Sequence, residues 1–181
     1  MKLLTALSLA TTILFTSNAT ATNLSEFKLA VIKNGVGTTD IIKGEFKQSI
    51  KSIQNEHNNT HQYELAMGLC VAHLKTTSLN KAGDACTQAI NILDTVEQPS
   101  QHMQYLKALA FSNRAIVRYI DGKIVDSHKD FVSALNLSDR DIITNNFSVF
   151  KDKLMKTSLN KLMSISSMSQ TPTLTTLVKA D

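Results

Sequence analysis

The chain has no Trp, only two Pro, two Cys and six Gly in 181 residues, with seven Phe and three Tyr. Without an even rhythm of turn residues between short apolar runs, an all-β sandwich or barrel is excluded. Beyond the N-terminus no segment reaches the roughly eighteen apolar residues of a membrane-spanning helix. A one-sided charge is also missing. The formal charge is +4, and the lysines gather near the ends, Lys28 to Lys51 and Lys151 to Lys161. A nucleic-acid binder needs a dense basic stripe with Arg and stacking aromatics, so nucleic acid is not an expected partner. There is no phosphate-cradling Gly loop, no G-x-S-x-G and no H-E-x-x-H. The expectation is a non-enzymatic protein with no catalytic residues, no metal and no cofactor.

What is present begins with a leader pattern. Lys2 is a short positive region, Leu3 to Phe15 is apolar, and Ala19-Thr20-Ala21 fits a cleavage site, so residues 1–21 read as a signal peptide cut after Ala21. No Cys follows the apolar run, which excludes a lipoprotein signal. The expected location is the bacterial periplasm, with secretion as the alternative.

Leu24–Lys33 carries a helical apolar pattern at Leu24, Phe27, Val31 and Ile32, broken by Asn34-Gly35-Val36-Gly37. Phe46, Ile50 and Ile53 fall on one helical face, and Glu56–His61 is a polar loop. Two helix pairs follow, Gln62–Lys75 with Leu79–Leu93 and Gln101–Ile120 with Ile124–Leu137. Gly122 suits the left-handed residue that closes a helix. Ile143, Phe147, Phe150 and Leu154 predict a last, capping helix. From Ser164 to Asp181 the chain is rich in Ser and Thr, and it predicts a disordered tail. The expected organisation is therefore 1–21 signal peptide, 22–60 N-terminal helices with a degenerate half-repeat, 61–163 helix pairs and cap, and 164–181 tail.

The stretch Leu109–Asp139 resembles a tetratricopeptide repeat. Ala115, Gly122, Phe131 and Ala134 stand where that family uses a small residue, the turn Gly, an aromatic and an Ala, and Phe111 holds the large early position. Ser127 replaces a usual Ala, Arg118 a usual aromatic, and Asp139 a common Pro. On the same frame the first pair places Leu69, Cys70, Ala82, Cys86 and Ala89 at core offsets, without the turn Gly. Ala89 and Ala134 are about 45 residues apart rather than about 34, an insertion near Thr95–Gln101. The resemblance implies an all-α fold, a short solenoid of antiparallel helix pairs with a C-terminal capping helix.

It also implies a concave groove lined by Met67, Val71, Leu74, Ser112, Asn113, Ile116 and Tyr119, with Glu64, Lys75, Leu109 and Ile120 beside them. Such a groove suits an amphipathic helix or extended peptide of another envelope protein. The alternative is a groove filled by the chain itself, and a homo-oligomer is the other possible partner. Ser112-Asn113-Arg114 is similar to the element of repeats that clamp a chaperone's C-terminal carboxylate. Met67 and Val71 stand where that clamp needs Lys and Asn, so Asn113 is expected to bond a local or peptide backbone instead.

An even cysteine number in an exported chain favours pairing. The repeat frame puts Cys70 and Cys86 on facing helices, so a structural Cys70–Cys86 disulfide is expected. The alternative is a thiol-redox or metal site of Cys70, His73 and Cys86, although no Cys-x-x-Cys is present. His57 and His61 read as solvated loop histidines. Asp126-Ser127-His128 has triad residue types without triad geometry.

Overall fold

The computed structural model describes residues 24–57 and 59–168. Seven α-helices are found there: α1 Thr38–Lys43, α2 Phe46–Gln54, α3 Gln62–Lys75, α4 Leu79–Asp94, α5 Gln101–Ile120, α6 Ile124–Leu137 and α7 Asp141–Met168. A single 3-10 turn, Asn59–His61, precedes α3. No strand occurs among the described residues, and the fold is all-α as expected. The expected signal peptide and the tail beyond Met168 lie outside the described residues. The last helix runs to Met168, into the segment expected to be tail.

Each helix packs on the next, α2 on α3, α3 on α4, α4 on α5 and α5 on α6, while α7 covers α5 and α6. Helix α3 is the most enclosed. Tyr63, Ala66, Met67, Gly68, Cys70, Val71, Ala72, His73 and Leu74 are all buried, as expected of a helix apolar on nearly every side. A Cβ on Gly68 would lie 2.8 Å from the Ile53 Cδ1 of α2, so that close approach depends on the missing side chain.

Small residues set the helix spacing. In the first pair Cys70, Ala82, Cys86 and Ala89 are all without exposure, and the two cysteines are joined with Cα atoms 5.0 Å apart. In the second pair Ala115, Ser127 and Ala134 are likewise fully buried. Ser127, the departure from the repeat pattern, hides its hydroxyl by donating to the Ala115 carbonyl at 2.8 Å. Small side chains let helix axes approach closely, and Phe131 and Phe150 fill the space alongside. Arg118, a second departure, joins Arg114 in gripping Asp130 at 2.7 and 2.8 Å. Two cations hold one buried carboxylate where an aromatic was expected.

The two helix-pair turns close alike with different residues. After α5, Gly122 adopts φ 75° and Lys123 N–H bonds the Arg118 carbonyl at 2.8 Å. After α3, Thr77 adopts φ 59° and Ser78 N–H bonds the His73 carbonyl at 2.9 Å. A β-branched residue is strained in the left-handed region. Thr76 Oγ1 caps the end of α3 by donating to the Ala72 carbonyl.

One expected helix is absent. Only Leu24 is helical; a turn follows, with Phe27 N–H bonded to the Leu24 carbonyl, and residues 28–32 have no regular structure. The backbone groups a helix would use internally are taken instead by side chains of α5 and α7.

Two stability changes follow. Thr77→Gly should raise unfolding stability by about 1 kcal/mol in urea denaturation by relieving the left-handed strain. Replacing both Cys70 and Cys86 by Ala should lower it by about 3 kcal/mol, the chain-entropy value for a loop of this size, and should abolish the effect of reductant on the midpoint.

Candidate functional site

The groove starts from polar residues inside apolar stripes. Asn113 lies in the middle of α5 between Leu109 and Ile116, and is fully buried. Asn146 lies in α7 between Ile143 and Phe150 and is 1% exposed. A buried carboxamide costs free energy unless its donors and acceptor are met. Both are met by the chain's own N-terminal segment. Asn113 Oδ1 accepts from Ala30 N–H at 3.0 Å, and Asn113 Nδ2 donates to the Ala30 carbonyl at 2.8 Å. Asn146 makes the same pair with Lys28, both bonds at 2.8 Å. Asn146 Nδ2 also donates to Ser112 Oγ at 3.1 Å.

Lys28 and Ala30 are alternate residues whose N–H and C=O groups all turn to one side. That is the pattern of an extended chain, and the two asparagines act as a neighbouring strand would. Phe27 and Ala30 of this segment are buried, while Leu29 is half-buried. Phe27 is buried with its ring edge-on to Tyr119, centroids 5.6 Å apart, and stacked on Phe131 at 6.4 Å. Phe150 closes the cluster against Tyr119 and Phe131. Ala30 packs in the core beside Met67 and Tyr63. At the open end Glu26 pairs with Lys153 at 2.9 Å, which holds the Glu26 carboxyl below its usual pKa, the Lys153 hydrogen bond being the larger cause. Lys153 is itself 8% exposed.

The residues expected to line the groove come together here. Met67, Val71, Leu74, Ser112, Asn113 and Ile116 are buried and Tyr119 is half-buried. Leu74, Ile116 and Tyr119 share a cluster with Phe27, Met67 shares one with Ala30, and Val71 lines a recess with Phe27, Leu29 and Val31. Residues of the same chain, from Phe27 to Val31, thus pack where the open groove was expected. Asn146 and Lys153 complete it and were not among the expected residues, nor were Glu26, Phe27 and Ala30. A signal for Asn146 exists: it is a polar residue inside the apolar period Ile143, Phe147, Phe150.

Cys70 and Cys86 are bonded to each other and have no exposure. His73 is 8% exposed and its Nδ1 has no hydrogen-bond partner. Burial, and secondarily the charge of Lys81, lower its pKa from 6.5. Among the described residues no group of three His, Cys, Asp or Glu side chains is placed to hold a metal ion. His57 and His61 are exposed. His128 packs against Phe147 and Phe150, while Ser127 Oγ is committed to the Ala115 carbonyl.

Comparison of the chain with protein-family models, with curated proteins and with solved structures gave no match.

Asn113→Leu should cost about 3 kcal/mol of unfolding stability, because it leaves the buried N–H and C=O of Ala30 unpaired. The Ala30 amide should then exchange with deuterium like an exposed loop amide while the α4 amides stay protected. His73 adds a pH dependence. Above 6.5 the imidazole is neutral in both states and stability is full. As pH falls towards the lower folded value, the unfolded chain takes up a proton that the folded chain does not, and stability declines. Urea midpoints at pH 7.5 and pH 5 should differ less in His73→Gln than in the wild type.

Proposed function

We propose that this chain is a non-enzymatic interaction scaffold of the bacterial cell envelope, a short tetratricopeptide-like solenoid whose concave groove holds an extended segment of another envelope protein. The observation that carries the reading is the paired bonding of Asn113 to both backbone groups of Ala30, repeated by Asn146 on Lys28. Side chains that read a backbone rather than a side chain can accept any extended peptide, and apolar pockets alongside supply selectivity. The small-residue crossings at Ala115 and Ala134, the left-handed Gly122 and the buried Phe131 agree with the tetratricopeptide pattern. The Cys70–Cys86 disulfide suits an oxidising compartment such as the periplasm, as does the leader pattern of residues 1–21.

The test is a photoreactive residue at Tyr119 in cells, followed by identification of what it captures. One dominant envelope protein, captured less when Asn113 is replaced by Ala, is expected. Capture of nothing beyond the chain itself, in the wild type and in a Phe27→Ala variant with a weakened seat, would remove the scaffold reading.

A further inference from the structure

Resting on the groove reading above, we infer that residues 24–32 are a tethered ligand that displays the recognition pattern of the groove. The partner is an extended peptide with an acidic residue, an aromatic directly after it and a small residue three positions further on. In the free protein the chain's own Glu26-Phe27-Lys28-Leu29-Ala30 holds that place until such a peptide displaces it.

Each position of the pattern is set by a contact. Lys153 reads the acid through its ion pair to Glu26 and lies 5.8 Å from the centroid of the Phe27 ring. A flat side chain is required next, because Tyr119 and Phe131 approach Phe27 edge-on and face-on. The residue after it is free to vary, since the Lys28 side chain is exposed while its backbone is held. The small residue is imposed by enclosure, since Ala30 is 8% exposed and packs in a cluster with Met67 and Tyr63.

Displacement is chemically open for two reasons. The four backbone bonds from Asn113 and Asn146 are blind to sequence, so an incoming extended chain can replace them one for one. The segment also forms no regular backbone ladder with its neighbours, and the loop 33–37 joins it to α1. A tethered ligand competes at high effective concentration, so free peptide should bind the intact protein weakly and bind tightly only when the tether is loosened.

The experiment uses full-length mature protein and a fluorescent synthetic peptide, Leu-Ser-Glu-Phe-Lys-Leu-Ala-Val-Ile-Lys, read by fluorescence anisotropy. Phe27→Ala empties the aromatic pocket in the protein while the peptide still carries its Phe. The variant should bind at least tenfold more tightly than the wild type, and adding Asn113→Ala should abolish binding. A peptide with Ala in place of Phe should bind neither. Should Phe27→Ala fail to fold, Glu26→Lys weakens the seat from its exposed end and should give the same ordering. A library of ten-residue peptides, varied at every position, is screened alongside on the same variant. Binding of library peptides without the acid-aromatic-small pattern, with no binding of the self-peptide, would overturn this inference and leave the groove reading standing. Binding of no peptide at all by a folded variant would overturn both.

Discussion

An extended backbone buried away from water must find a partner for each of its N–H and C=O groups, and here two asparagines supply them. The rest of the arrangement follows from that constraint. Asn113 can sit at the centre of α5 only because Ala30 passes beside it, and Asn146 can interrupt the apolar face of α7 only because Lys28 does the same. With the segment in place, Phe27 joins Tyr119, Phe131 and Phe150 in one aromatic cluster. The segment of residues 24–32 therefore links the α5–α6 pair to α7. Removing it would expose apolar surface and leave two carboxamides buried without partners, which are among the costlier states of a protein interior.

The helix pairs supply the rigid walls. Both use small residues at the crossing, but they differ in how the crossing is fixed. The first pair is joined covalently through Cys70 and Cys86 and turns on a strained Thr77. The second has an unstrained Gly122 turn and the ion cluster of Arg114, Arg118 and Asp130. A disulfide limits the unfolded chain of the pair whose turn is less favourable. Removing one partner from the buried ion cluster would strand charge in the interior, so that cluster fixes the geometry of the second pair more than it raises its stability.

Much of the fold was legible because the relevant signals are local. The bounds of α5 and α6 match their apolar period, and Gly122 marks the turn between them. The pairing of Cys70 with Cys86 followed from placing both on facing helices. Residues 24–33 depart from the helix expected of them, because apolar residues at Leu24, Phe27, Val31 and Ile32 suit a helical period and a packed extended run alike. Periodicity reports which side chains are apolar and cannot report what captures the backbone.

The sequence by itself determined an all-helical chain, the extents of its main helices, the small-residue crossings and the cysteine pair, since each rests on residues close together in the chain or on composition. Only the tertiary structure decided what packs against the expected groove residues. The bonds that settle it join Ala30 to Asn113 and Lys28 to Asn146, residues 83 and 118 positions apart. No local preference encodes a contact of that range; it forms because the folded helices bring two unmet carboxamides to the same line, and an extended backbone is what satisfies them.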